Sequence, residues 1–216
     1  MNLTKKLSTA MLKNIKNFIL DLIFPIKCLG CGYEGAWLCQ KCFKSIKIKF
    51  TKNSDKIIVV ASYHKNPVLQ KAIHFYKYKF IQELHNPLSR LLIKRIKNLK
   101  LEIKNFLLIP VPLHQKRLKY RGFNQTELLA NDLVKHYNIP LISDVLIRVK
   151  HTKPQMELKE TQRKQNIKNC FACVNHKKIA SKNILLLDDV ATTGSTLREC
   201  EKILLQAGAK KVLSLV

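Results

Sequence analysis

Apolar residues along this chain fall into two kinds of run. The short ones, "NFLLIPVPL" at 105–113, "NILLLDDV" at 183–190 and "AKKVLSLV" at 209–216, have the length of buried strands. Between them, "NQTELLANDLVKHY" (124–137) and "TLRECEKILLQAG" (196–208) space their apolar residues as helices do, the second ending at Gly208. "KIIVVASYH" at 56–64 predicts an earlier strand. Asn66 followed by Pro67 predicts a capped helix through about Phe80, and a second helix is expected to follow Asn86 and Pro87. Strands alternating with helices imply an α/β fold, a parallel sheet flanked by helices on both faces.

The pattern differs ahead of residue 51. Residues 1–24 carry Leu7, Met11, Ile15, Phe18 and Leu22 at helical spacing among lysines, predicting an amphipathic N-terminal helix. Packing on its own protein is favoured over lying on an anionic membrane. Residues 25–50 are short, cysteine-rich and glycine-rich, and read as a small separate module ahead of the 51–216 domain.

Composition narrows the picture. A hydrophobic content of 46% argues for a packed core despite a formal charge of +26. Lysine supplies 33 of the 40 basic residues, so part of the charge is compositional bias. Even so, such a surface suits phosphate polymers or anionic surfaces. Arg117, Arg121, Arg148 and Arg163 cluster in the central stretch, and arginine in a lysine-rich chain fits planar, bidentate phosphate contacts. No apolar run reaches 18 residues, and "NFILDLIFPI" is broken by Asp21 and Pro25. Neither a membrane span nor a signal peptide is expected, which predicts a cytoplasmic chain with reduced or metal-bound cysteines and makes peripheral association with the inner membrane the second location.

Cys28, Cys31, Cys39 and Cys42 form C-x2-C-x7-C-x2-C. Two such pairs can converge four thiolates on one tetrahedral zinc ion, a closed coordination that holds a fold and does not catalyse. The overlapping "GCGYEG" matches GxGxxG, but follows no strand and opens no helix, so it is not read as a dinucleotide site. Cys170 and Cys173 have no partner pair and, like Cys200, read as buried thiols.

"ILLLDDVATTGST" at 184–196 carries the chemistry. A buried strand ending in Asp188 and Asp189 sets both carboxylates at the carboxyl edge of a parallel sheet, where open α/β folds bind ligands. Ala191, Thr192, Thr193, Gly194, Ser195 and Thr196 then lead into a helix with backbone N–H groups and hydroxyls free to cradle a phosphate monoester. The loop lacks the lysine of a nucleoside-triphosphate loop. Carboxylates would repel a phosphate, yet they suit vicinal hydroxyls, so a sugar phosphate fits both halves. Ordinary helix capping explains one or two of these residues but not all.

At these residues the chain resembles two known groups. "ILLLDDVATTGST" is similar to the ribose-phosphate signature of type I phosphoribosyltransferases, which bind phosphoribosyl pyrophosphate (PRPP) with Mg(II). With "CLGCG", "LCQKC", "FYKYK", "IPVPLHQKRLKYRGFNQTELLA" and "RVKHTKPQMELKETQRKQNIKNCF", the whole chain resembles the ComF (ComFC) family of competence-associated proteins, which joins a zinc module to that fold. The resemblance implies that Asp188 and Asp189 hold ribose hydroxyls and Mg-bound waters, that residues 191–196 wrap the 5-phosphate, and that Arg117 and Arg121 face the pyrophosphate. Lys77 in "FYKYK" is a weaker candidate, one lysine among 33. Thr152, Gln155, Arg163 and Asn166 match the family in a segment expected to close over PRPP, their roles left open.

Three functions follow from the resemblance: a DNA-uptake factor that binds PRPP and single-stranded DNA alongside a competence helicase or DNA-processing proteins, a metabolic phosphoribosyltransferase acting on a nucleobase, and a PRPP-sensing module without turnover. No residue marks a base-recognition pocket. Phe75, Tyr76, Tyr78 and Phe80 among Lys71, Lys77 and Lys79 read either as a stacking platform for bases or as one face of a core helix.

Overall fold

The computed structural model describes residues 25–48, 57–152, 166–191 and 193–216. In chain order its elements are α1 (Gln40–Ser45), β1 (Ile57–Ile58), α2 (Pro67–Tyr78), α3 (His85–Asn98), β2 (Leu107–Pro110), α4 (Gln115–Arg121), α5 (Gln125–Tyr137), β3 (Leu146–Arg148), β4 (Phe171–Cys173), β5 (Asn183–Leu187), α6 (Ser195–Gln206) and β6 (Lys211–Leu215). The 1–24 helix expected from the sequence lies outside the described residues.

Four strands form a parallel sheet in the order β1-β6-β5-β2. Ile184 to Leu187 of β5 are fully buried, because helices cover both faces. Strand alternation divides the apolar residues between two cores. Leu108, Leu185, Leu187, Leu213 and Leu215 face one core with α2, α3 and α5, while Ile109, Ile184, Leu186 and Val212 face the other with α6 and the antiparallel pair β3-β4. The expected parallel sheet flanked by helices is therefore present.

Local chemistry starts each helix where it is needed. The Asn66 side chain accepts from the Leu69 N–H at 2.9 Å, Pro67 opens α2, and Leu69, Ala72, Ile73 and Tyr76 form its buried stripe. Asn124 caps α5 by accepting from the Thr126 N–H at 3.1 Å, and Asn138 ends it in the left-handed region. At the other predicted cap, α3 begins at His85, so Asn86 and Pro87 lie inside its first turn. A 3-10 turn at Gln82–Leu84 delivers the chain into that helix, and Pro87 is tolerated where N–H groups lack intrahelical partners.

The cysteine module joins the same core. Phe43 and Ile46 are buried with the sheet residues, Ile48 bridges Ala61, and the Arg90 guanidinium sits 4.6 Å from the centre of the Phe43 ring. Among the described residues no helix is long and apolar enough to cross a membrane.

Candidate functional site

The Asp188 N–H donates to the Leu215 carbonyl at 3.0 Å, so the first carboxylate leaves the sheet while its backbone is still in register. The Asp189 N–H then donates to Asp188 Oδ1 at 2.8 Å, and Asp189 Oδ1 meets Lys77 Nζ at 2.8 Å. The Lys77 and Asp189 side chains are 21% and 13% exposed, too enclosed for an ordinary solvated pair. Burial and the neighbouring charge of Asp189 push the Asp188 carboxyl up to about 7, against the opposing pull of Lys77. Burial alone would lower the Lys77 pKa, but Asp189 and Asp188 outweigh it and raise it. Lys77, discounted in the sequence as one lysine among many, is thus part of the site.

The small-residue loop follows at once. Gly194 takes φ 71° and serves as N-cap of α6. Thr193 Oγ1 and Ser195 Oγ lie 2.8 Å apart, with Thr196 on the following turn, and Thr192 is outside the described residues. Arg198, one turn into α6, donates to the Thr193 carbonyl and lies against Gly194. Arg198 was not singled out from sequence, although arginine standing out in a lysine-rich chain was the available signal.

The carboxylate pair separates two cavities. One, of about 340 Å³, is lined by Lys77, Arg117, Arg121, Arg148, both aspartates and Thr196. Arg117 and Arg121 share a face of α4 at i, i+4. Arg117 donates to the Thr152 carbonyl at 2.9 Å, Arg148 donates to Thr152 Oγ1 at 2.7 Å, and Arg121 donates to Gln125 Oε1. The buried Arg148 Nε has no hydrogen-bond partner among the described residues. Burial, then the charge of Arg117, lowers the Arg148 pKa; burial also lowers that of Arg121. Three guanidiniums so placed would be relieved by a polyvalent anion. The structure therefore gathers three of the four central arginines; Arg163 and Gln155 lie outside the described residues.

The other cavity, about 420 Å³, is lined on one part by Ile57, Val59, Ile73, Leu92 and Leu129 and on another by Asp188, Asp189, Ala191, Thr193, Gly194 and Arg198. Tyr76 is not an exposed platform residue. It is fully buried, and its hydroxyl donates to the Gln125 carbonyl at 2.8 Å.

In the cysteine module the four Sγ atoms lie within 4.8 Å of one another. A Cβ on Gly30 would sit 2.6 Å from Cys42 Sγ, and the Cys39 N–H donates to Cys28 Sγ at 3.3 Å. Burial would push the Cys28 thiol up, but N–H groups of Cys39, Cys31 and Gly30 bring it to about 6, whereas burial and its sulfur neighbours push Cys42 up to about 12. Four convergent sulfurs with one already favouring thiolate suit a tetrahedral soft-metal site, and zinc fits the donor set. Cys170 and Cys200 are buried as expected, whereas Cys173 is only half-buried, and burial pushes up the thiols of all three.

A parallel α/β sheet with paired carboxylates and a small-residue loop at its carboxyl edge, joined to a four-thiol module, defines the class of protein. The chain is 34% identical over 198 residues to competence protein F of Haemophilus influenzae, covering 88% of this chain and 82% of that one. It is also 34% identical over 163 residues to the DNA utilization protein YhgH of Escherichia coli K12, covering 73% and 69%. The chain belongs to the competence protein F (ComF) family. No protein-family model matches it. Among solved structures it is similar to a glutamine phosphoribosylpyrophosphate amidotransferase from B. subtilis, with a TM-score of 0.44 and 15% identity over 77% of this chain and 32% of that one, a likeness too loose to bear on function.

Proposed function

We propose that this chain acts in DNA uptake as a PRPP-binding protein of phosphoribosyltransferase type, with single-stranded DNA as a second ligand on its basic surface. One observation carries the reading. Asp188 and Asp189 stand between a small-residue helix N-terminus and a cavity lined by Lys77, Arg117, Arg121 and Arg148. A ribose diol fits the carboxylates, a 5-phosphate fits Ala191 and Thr193 to Thr196, and a pyrophosphate fits the guanidiniums. Asp188, with its raised pKa, is the residue that a divalent cation would relieve, and Mg(II) bound there would neutralise charge on the pyrophosphate. The competence and DNA-utilization names of the relatives support the biological setting.

A transfer reaction is the second reading, favoured by the second cavity, partly apolar, that shares Asp188 and Asp189 with the basic one. An acceptor ring held there would reach a sugar whose leaving group lies in the basic cavity. Titration calorimetry of PRPP with Mg(II) tests the first reading. Tight binding is expected, with a loss of about a hundredfold in Asp188→Asn/Asp189→Asn. Undiminished binding by the folded variant would overturn the site. Pyrophosphate release with a nucleobase, lost in the same variant, would favour the transferase.

A further inference from the structure

The sequence left the aromatic run at 75–80 divided between a core face and a platform, and the structure divides the residues themselves. Tyr76 belongs to the core. Tyr78 is 41% exposed, with its ring centre 5.1 Å from that of the exposed His74. Phe80 lies beyond the end of α2 at φ 58°, a left-handed backbone that a bulky aromatic residue adopts only under constraint. Its ring stands edge-on to Tyr120 of α4, centres 5.6 Å apart at 83°. Tyr120 is 80% exposed, and Leu118 on the same short helix is 40% exposed. Three rings, those of His74, Tyr78 and Tyr120, therefore stand at the surface, and the half-buried Phe80 packs between the core and Tyr120.

The charge on the two segments that carry them is of one sign, and the exposed Glu83 and half-buried Glu127 follow directly after those segments. Lys71, Lys79, Lys116 and Lys119 are exposed on the same two segments, and residues 62–82 and 112–126 contain no aspartate or glutamate. Exposed rings interleaved with solvated ammonium groups are what an unpaired base and its phosphate require, and duplex DNA, whose bases are stacked, offers such rings nothing. Tyr78 and His74 also line the cavity that holds Arg117 and Arg121. The surface is therefore continuous with the anion site, and α4 carries arginines into that cavity and Tyr120 away from it.

We propose that His74, Tyr78 and Tyr120, the last backed by Phe80, form a stacking platform for single-stranded nucleic acid, with Lys79, Lys116 and Lys119 meeting its phosphates. This rests on the DNA-binding part of the proposed function and assigns it a surface. The platform lies beside the sugar-phosphate site, so a strand held there competes with PRPP or is coupled to it across α4.

Fluorescence anisotropy with a labelled oligothymidine and a labelled duplex hairpin of equal charge tests the assignment. Tyr78→Ala/Tyr120→Ala removes two exposed rings and no charge. Its single-strand affinity is expected to fall about five- to hundredfold, with duplex affinity and the slope of log affinity against log salt unchanged. Tyr120→Phe, which keeps the ring, retains single-strand binding. An equal loss for both probes, or no loss, overturns the platform while leaving DNA binding standing. Unchanged DNA affinity with altered sedimentation would make the patch a contact between copies and overturn it too. A wild-type protein that binds neither probe near physiological salt removes the DNA-binding part of the proposed function and the platform with it.

Discussion

The cysteine module and the carboxyl edge of the sheet each crowd acidic groups together, and they balance the resulting charge in opposite ways. Around the four sulfurs the main influences holding Cys28 down are the backbone N–H groups of Cys39, Cys31 and Gly30. At the sheet edge the chain supplies its own cation, Lys77, and leaves two cavities open beside the carboxylates. A cluster closed on itself depends on an ion for its charge balance. A cluster half neutralised by a lysine holds its shape alone and keeps capacity for a ligand. The first arrangement is structural and the second is suited to exchange.

The largest effect expected from that contrast is on the module. Chelator treatment would leave four sulfurs within 4.8 Å of one another without a counter-ion, and Cys28→Ser/Cys42→Ser would take away two of the four donors. Phe43 and Ile46 share a core with the sheet, so the loss spreads beyond the module. A fall in Tm of about 10 °C or more is expected, with one zinc per chain by elemental analysis before removal. An unchanged Tm in metal-free protein would make the four thiols merely buried and end the comparison.

Next in size is Lys77→Met. With the ammonium gone, Asp188 and Asp189 face each other unscreened, and the Asp188 pKa rises further from about 7. A carboxyl raised from its ordinary 3.8 to about 7 keeps its proton in the folded state after the unfolded chain has lost it. It therefore lowers folding stability progressively as pH rises between those values. Ligands of the ionised pair face the same gate, so Mg-dependent PRPP binding by the wild type is expected to weaken below about pH 7. In Lys77→Met the midpoint moves upward and affinity recovers at alkaline pH. That recovery separates a residue acting through the carboxylates from one whose loss merely deforms the site, which no pH restores.

What could be read in advance follows from which forces leave a pattern. Burial on both sheet faces makes β2 and Ile184 to Leu187 of β5 unbroken apolar runs, and Asp188, Asp189 and the small-residue loop stand out because the chain changes character there within one residue. Helix α4 leaves no signal in the sequence because "QKRLKYR" buries nothing and so has no apolar period. It exists through its ends: His114 Nδ1 accepts from the Lys116 N–H at 3.2 Å, and Gly122 closes it at φ 80°. Strands β3 and β4 pair across the long stretch between Arg148 and Phe171, with no tight turn to announce them. Lys77 could not be distinguished from 32 other lysines until α2 was seen to place it on Asp189.

The smallest effects come from adding one methyl group at each site. On Gly30 a Cβ would lie 2.6 Å from Cys42 Sγ and 3.1 Å from Val68 Cγ2, against atoms fixed by the cluster and by α2. Gly30→Ala is expected to displace a ligand and lower zinc content. On Gly194 a Cβ would come 3.0 Å from Arg198 Nη1, the far end of a flexible side chain, so the guanidinium can swing aside. The remaining cost is backbone: φ is 71°, and a non-glycine residue there loses about 1–2 kcal/mol. Gly194→Ala should therefore fold with full zinc and a slightly lower Tm, and bind the phosphate end of its ligand more weakly because Arg198 has moved. Chemical denaturation with zinc analysis separates the two. If Gly194→Ala loses zinc, or Gly30→Ala keeps it, the sites are not the independent closed and open clusters that their charge balance implies.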